Sequence, residues 1–383
     1  MTSLVVFLDH ALRLMFLLGA AYFLLLSLSN LLWLRVSSHR PRITRGRMVS
    51  VLVPARDEER NIARCLDSLL AQTYTNYEIV VLDDQSTDRT WEILREYEQA
   101  NPGKVRAVKG VPLSESGWCG KPHAMHQLSK HARGEYLLFT DADTTHGPES
   151  VAWAVTNMEW HKADCVSGFV LQEMDTLGEQ CIVPATYIMS AMVLPLWLIA
   201  ALKAPGLSFA IGQVIMFRRR VYEAIGGYAS VAGEITDDLA IARELKKAGF
   251  REVFLDIRRH VRCRMYNGYR ASFNGMSKNI YDLARHRSVF FAAAFTMLVT
   301  IVVLPLALLP IQVLTGNPAM QLTFLCVMIF LVAWALVLYD RGMRWWTPFL
   351  YPVLFVHLLY MAWWSFAHAA SGEGVVWKGR IVR

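Results

Sequence analysis

Three long apolar stretches toward the two ends of this chain carry no Asp, Glu, Lys or Arg, and that partition constrains its fold more than any single motif. They are Leu14–Leu34, Ser288–Tyr339 and Thr347–Ala370, and the second is divided by the turn Gly316-Asn317-Pro318. About 20 apolar residues cover the ~30 Å hydrocarbon core of a bilayer as a helix. The pattern therefore predicts four membrane spans, at 13–34, 288–315, 319–339 and 347–369. The first run is too long for the apolar core of a signal peptide and no small-x-small cleavage site follows it, so it reads as an uncleaved anchor. The 54% hydrophobic content of the 383 residues is concentrated at the two ends.

Behind the first span come Arg35, Arg40, Arg42, Arg45 and Arg47 with no acid among them. Positive-inside logic places this side in the cytoplasm and the short N-terminus outside. The formal net charge of +7 has its basic residues beside membrane segments. There they meet lipid headgroups and pyrophosphate, and no nucleic-acid partner is expected. The six cysteines show no CxxC or metal spacing, which fits a reducing cytosol and a packing role.

From about 48 to 287 the pattern changes to short apolar strands alternating with amphipathic helices, which predicts an α/β domain with a mostly parallel sheet. Strands are expected at Val49–Val53, Glu78–Leu82, Val105–Val108, Tyr136–Phe139 and Cys165–Leu171, and helices at Glu59–Gln72, Thr87–Ala100, Pro122–Ala132 and Pro148–Lys162. Ligands of such folds collect beyond the carboxyl ends of the strands. Gln180–Leu202 is uncharged and long enough to span, yet contains Pro184 and Pro195. A single crossing would put the acidic motifs before and after it on opposite sides. It is therefore read as an interfacial or re-entrant helical pair, or as buried core. Tyr266–His286 is a second interfacial candidate, with Tyr269, Phe273, Met276, Ile280 and Leu283 at helical spacing.

The acidic groups fall at strand ends in a fixed order. Asp83-Asp84-Gln85-Ser86-Thr87-Asp88 follows an apolar strand; a carboxylate there can accept from a nucleobase or ribose, while Ser86 or Thr87 can cap the next helix. Asp141-Ala142-Asp143 offers two hard-oxygen groups at a strand mouth, suited to Mg²⁺ or Mn²⁺ bridging two phosphates, or forms a plain solvated turn. Thr236-Asp237-Asp238 opens a helix running to Lys247, where one acid can serve the helix N-terminus and the next can take a proton from a hydroxyl. Arg262-Cys263-Arg264-Met265-Tyr266 places cations where they could neutralise a diphosphate, or simply form a basic face at the membrane.

In that order and spacing the chain resembles membrane-bound family-2 glycosyltransferases of GT-A fold, in the lipid-directed branch that includes ceramide glucosyltransferase and bacterial carotenoid and hopanoid glycosyltransferases. The likeness covers about 49–280. Val51-Leu52-Val53-Pro54-Ala55-Arg56-Asp57-Glu58-Glu59 resembles the opening strand and donor loop. Asp83-Asp84 resembles the nucleoside motif, Trp118-Cys119-Gly120-Lys121-Pro122 the Gly-Lys loop, and Asp141-Ala142-Asp143 the metal motif. Gly212-Gln213 through Phe217-Arg218-Arg219 and Gly226-Gly227 resembles the segment before the base. Thr236-Asp237-Asp238 stands where the family has Thr-Glu-Asp.

The resemblance implies inverting transfer from a nucleotide-sugar, expected to be a UDP-sugar, to a hydroxyl of a membrane lipid. Asp238 would be the general base. Pro54, Arg56, Glu58, Asp83, Asp84, Lys121, Asp141 and Arg264 would bind donor. Asp141 and Asp143 would hold Mg²⁺ or Mn²⁺, and Gln213, Asp237 and Tyr266 would border the acceptor. Processive members carry Gln-x-x-Arg-Trp where this chain keeps only Arg264, which disfavours the alternative of a polysaccharide synthase. A non-enzymatic nucleotide-sugar receptor would leave Thr236-Asp237-Asp238 unexplained.

The expected organisation is an anchor and basic linker (1–47), a GT-A catalytic domain (48–265) with an interfacial insertion (180–203), an amphipathic helix (266–287), and C-terminal spans with a basic tail (288–383). The expected location is a bacterial inner membrane with the catalytic domain in the cytoplasm. One tension remains in this topology. Three spans after a cytoplasmic domain would put Lys378, Arg380 and Arg383 outside, so either one segment is re-entrant or the short tail escapes the positive-inside rule.

Overall fold

The apolar runs that alternate with helices pair into one central sheet. A computed structural model describes residues 2–38, 43–113, 117–286, 288–371, 375–377 and 380–382. Arg40, Arg42, Lys378 and Arg383 lie outside the described residues. The chain divides into two compact units, one made of Trp33–Glu173 and Leu196–Met265, the other of Met1–Leu32, Met174–Pro195 and Tyr266–Arg383.

The first unit is built on ten strands: β1 Val49–Ala55, β2 Tyr77–Asp83, β3 Val105–Lys109, β4 Tyr136–Thr140, β5 Thr144–His146, β6 Cys165–Phe169, β7 Leu171–Gln172, β8 Val214–Arg218, β9 Glu252–Asp256 and β10 Val261–Cys263. Seven form a sheet in the order β3-β2-β1-β4-β8-β6-β9. β2 and β4 are buried along their whole length and β1 at all but Pro54, the pattern of strands covered on both faces. Helix Ile62–Leu70 covers one face through Ile62, Cys65, Leu66 and Leu69, a single helical stripe. The cluster beneath it joins Val51, Val53, Ile79, Val81 and Leu138.

All neighbours in this sheet run parallel except β8, which is antiparallel to both β4 and β6. That reversal matters for the site. The pairing Thr140↔Val214 brings the start of β8 to the carboxyl end of β4, so Gly212 and Gln213 arrive beside Asp141. A small second sheet, β5-β10-β7, aligns Cys263 with both Thr144 and Gln172. The run expected as one strand, Cys165–Leu171, is split between the two sheets as β6 and β7.

Among the described residues of the chain, four helical segments are long and apolar enough to cross a membrane: Asp9–Ser37, Phe295–Leu314, Met320–Asp340 and Thr347–His368. They fall on the four stretches expected from the sequence. The second is interrupted by a π-helical turn at Val299–Val303, just before Pro305 and Pro310. A proline without an N–H shifts the i→i−4 pattern there. Helix Tyr269–His286 is the amphipathic element expected at 266–287.

Gln180–Leu202 is not among the long helices. It breaks into Leu177–Ile182, Ala185–Tyr187, a π-helical turn Ile188–Val193 and Leu196–Ala201, with Pro184 and Pro195 at the breaks. Within the second unit a capping box of Thr176 and Glu179 starts the segment. Asn30, buried in the first helix, donates through Nδ2 to the carbonyls of Ala191 (2.9 Å) and Leu194 (2.8 Å), and the Tyr22 hydroxyl donates to Val193 O at 3.1 Å. Irregular backbone in an apolar setting needs such partners for its freed carbonyls.

Candidate active site

Parallel strands end on a common edge, and the first two acidic motifs begin where β2 and β4 stop, whereas Asp237 and Asp238 open a helix. β1 and β2 end level at Ala55↔Asp83, and the Asp84 N–H donates to Ala55 O at 2.7 Å. The loops after the two strands are laced together. Arg56 donates to Asp84 O at 2.7 Å, Asp57 N–H to Ser86 Oγ at 3.0 Å, Thr87 N–H to Asp57 Oδ1 at 2.7 Å, and Glu58 N–H to Thr90 Oγ1 at 2.8 Å. Asp57 and Gln85 take φ of 52° and 60°, left-handed values uncommon for residues with a side chain. Held strain of this kind clusters at functional loops.

Asp83 is fully buried and pairs with Lys109 Nζ at 2.8 Å. Ser86 and Thr87 do not cap the following helix. It begins at Thr90, whose N–H donates to Asp88 Oδ1 at 3.0 Å, and Arg89 stands at the N-cap position with no side-chain cap.

Asp141 and Asp143 leave β4 in the short turn before β5. A buried chain of side chains fixes that turn: Thr140 Oγ1 bonds to Gln213 O, Thr144 Oγ1 to Asp141 O, and both hydroxyls reach His146 Nε2. Burial pushes His146 down to about 3, so it stays neutral in this network. A second chain runs Gln172 Nε2 to Gln213 Oε1 (2.8 Å), Gln213 Nε2 to Cys263 Sγ (3.0 Å), and Cys263 Sγ to Asp143 Oδ1 (3.4 Å). Gln213, expected at the acceptor border, is buried with both amide atoms engaged behind Asp143. Cys263 packs as a buried thiol, but it also touches an acidic side chain, which spacing alone did not suggest.

Asp143 is pushed up to about 7 by desolvation and by the neighbouring carboxylates of Asp141 and Glu58. Lys121, in the first turn of helix Gly120–His131, places Nζ 2.6 Å from Asp141 Oδ1. Burial alone would lower this ammonium, but Asp141, Asp237 and Asp238 outweigh it and raise its pKa. Among the described residues no three His, Cys, Asp or Glu side chains group to hold a metal by themselves.

Asp237 and Asp238 occupy the first turn of helix Asp237–Lys247, and Thr236 makes no side-chain cap. Asp237 is buried. Asp238 accepts from the N–H groups of Gly212 and Leu239, each at 2.9 Å. Its pKa is raised, first by desolvation and also by Asp141, against the pull of Lys121 and the two N–H donors. Gly212 lies between Asp238 and Lys121: a Cβ there would stand 2.9 Å from Lys121 Nζ and 3.6 Å from Asp238 Oδ2. A raised carboxylate, a charged lysine and two further acids on one strand edge can accept a proton and meet a departing anion.

The other expected residues lie at the borders. Pro54 pairs in register with Leu82, two residues beyond the last β1 residue that pairs with β4, and Glu58 accepts from Asn61 Nδ2 at 2.8 Å. Arg264 is half-buried and directly follows Cys263, which is opposite Thr144, so the chain carries it past the Asp141–Asp143 turn. Tyr266 belongs to the other unit, where its ring covers Gly275 so closely that a Cβ there would meet it at 2.2 Å.

Residues 50–226 match the model of the family described as Glycosyl transferase family 2. A protein of Bacillus subtilis (strain 168) called putative glycosyltransferase EpsE is 27% identical over 186 residues, 49% of this chain and 62% of its own. The 4,4'-diaponeurosporenoate glycosyltransferase of Staphylococcus haemolyticus (strain JCSC1435) is 23% identical over 244 residues, 61% of this chain and 60% of its own. The chain thus spans less than two thirds of the length of these curated relatives. Mannosyltransferase PcManGT from Pyrobaculum calidifontis, solved in complex with GDP-Man and Mn²⁺, shares the fold with a TM-score of 0.52 at 19% identity, over 94% of this chain and 98% of that one. The GT-A fold expected from the motifs is the fold found.

Proposed function

From the premise that this chain carries a glycosyl transferase family 2 domain, we propose that it transfers a sugar from a nucleotide-sugar to a hydroxyl of a membrane lipid or lipid-like acceptor, with inversion. The observation that carries this reading is the placement of Asp238. It is held by two N–H donors beside Gly212, with a charged Lys121 on the other side of that glycine.

Asp238 takes the proton of the acceptor hydroxyl as that oxygen attacks the anomeric carbon. Its raised pKa strengthens it as a base near neutral pH. The bond to the nucleoside diphosphate breaks on the opposite face, so a single displacement inverts the configuration. The leaving diphosphate is met by Lys121 and Arg264. Asp83, Asp84, Arg56, Pro54 and Glu58 border the nucleoside end. Asp141 and Asp143 would hold Mg²⁺ or Mn²⁺, and the fit rests on their hard oxygens and on the burial and carboxylate repulsion that raise Asp143. A bound cation would supply charge stabilisation to the diphosphate, with phosphate oxygens completing a shell to which the protein gives few ligands. Gln213 acts behind this pair, through Cys263.

A lipid acceptor is supported by the four apolar helices and by a relative whose name specifies a carotenoid acid, diaponeurosporenoate, as the glycosylated molecule. The catalytic unit faces the cytoplasm of an inner membrane in this reading, with 180–203 lying at the interface. Mass spectrometry of lipids from cells with and without the protein tests the acceptor class, and a new glycosylated lipid is expected. Transfer in detergent should stop with excess chelator and return with Mg²⁺ or Mn²⁺. An unchanged lipid profile would remove the acceptor assignment, and full activity in chelator would remove the cation.

A further inference from the structure

We propose that Lys121 is a resident counter-cation for Asp141, so that a divalent cation gains the Asp141–Asp143 pair only together with the donor diphosphate, which draws Lys121 onto itself. This rests on the donor and metal roles proposed above and adds an order to them. The ammonium is already 2.6 Å from Asp141 Oδ1. A divalent ion on the same carboxylate would stand within a few ångströms of it, and like charges that close repel strongly in a half-buried site.

The protein offers a bare ion little else, since among the described residues no three His, Cys, Asp or Glu side chains group to hold a metal, and the Cys263 thiol beside the pair donates to Asp143. A diphosphate changes both sides of the balance. Its oxygens add ligands for the ion, and its charge gives Lys121 a new partner. That partner is also favoured near the start of helix Gly120–His131, where the helix dipole attracts anions. The ammonium has room at Gly212, where a Cβ would stand 2.9 Å from Nζ.

The experiment measures Mn²⁺ binding to the full-length protein in detergent, by the electron paramagnetic resonance signal of free Mn²⁺, with and without UDP. The parent should bind Mn²⁺ weakly alone and at least about tenfold more tightly with UDP. Lys121→Met should bind Mn²⁺ alone about tenfold more tightly than the parent, because the competing charge is gone, and gain much less from UDP. Lys121→Arg should keep the parent's pattern. Gly212→Ala, which displaces the ammonium without removing it, should also tighten binding of Mn²⁺ alone, and it carries the test if Lys121→Met does not fold. Unchanged or weaker Mn²⁺ binding by these two variants overturns the proposal, as does tight binding by the parent without UDP. Parent-like binding by Asp143→Asn would instead show that the pair is not the metal site, a separate failure of the underlying reading.

Discussion

The Gly212 N–H donates to Asp238 Oδ2 at 2.9 Å, tying the start of an antiparallel strand to the first turn of a helix 26 positions further along the chain. The bond aims one carboxylate oxygen at the backbone of residue 212, where a Cβ would make an ordinary 3.6 Å contact with that oxygen. In Gly212→Ala the new Cβ would press on Lys121 Nζ, the free end of a flexible side chain. The fold should tolerate this while the site does not. Transfer should fall by about 10²-fold, the usual effect of a displacement near 1 Å at a reacting centre, with the melting temperature nearly unchanged. Transfer rate and melting temperature on the same preparation decide it, and near-parental transfer would show that Lys121 is not held in place there.

Asp238→Asn keeps the shape but removes the proposed base, and it keeps only one of the two N–H contacts, since Gly212 donates to Oδ2 and Leu239 to Oδ1. Transfer should drop by roughly 10²–10⁴-fold. Binding of UDP, measured by calorimetry on the same variant, should change little because the residues proposed to hold the nucleoside and diphosphate lie on other elements. A variant that transfers normally, or a parent whose product retains the donor's anomeric configuration by NMR, would exclude the mechanism.

Glu252 gives a pH signature outside the reacting centre. It is fully buried, accepts from the Phe209 N–H at 2.9 Å, and sits near the buried Lys246, whose own pKa burial lowers. Desolvation pushes Glu252 up to about 8, only partly opposed by Phe209 and Lys246. Between the ordinary carboxylate range and about 8 the folded state therefore binds a proton that the unfolded chain has lost. Stability contributed by this group is full at low pH and declines as pH rises through that window. The melting temperature should fall from about pH 5 to pH 8, and Glu252→Gln, which keeps an acceptor for Phe209, should flatten the slope. Equal slopes in the two proteins would assign the titration elsewhere.

Much of this architecture is legible in the residues because local pattern and burial agree. Val49–Ala55 and Tyr77–Asp83 are apolar runs that can only be covered strands, and acids at their ends must collect on one edge. The contacts that turn a set of acids into a site are another matter. Gly212 meets Asp238 because β8 runs against its neighbours, a property of tertiary pairing that Val214–Arg218 does not advertise. Cys263 reaches Asp143 only through the alignment of β10 with β5, and Lys121 finds Asp141 across 20 positions. Asp57 and Gln85 adopt left-handed backbone with no glycine to signal it.

The last prediction concerns the broken segment between Gln180 and Leu202. Its two prolines stop a continuous helix, and the carbonyls they and the π-helical turn release need donors. Asn30 serves Ala191 and Leu194 with a single amide. Asn30→Ala would strand both acceptors, at about 1–3 kcal/mol for each buried group left unpaired, a large effect for one side chain. The folded fraction after detergent extraction should fall, whereas Asn30→Gln should recover part of it. If the segment does not cross the bilayer, its two ends face the same compartment. Asp175 and Lys203 are exposed at those ends. In a background with the partly exposed Cys119 and Cys181 changed to Ser, Asp175→Cys and Lys203→Cys should each react with an impermeant thiol reagent only from the cytoplasmic side. Labelling from opposite sides would mean that the chain crosses once here. The strand-end acids before the segment and Asp238 after it could not then share a site.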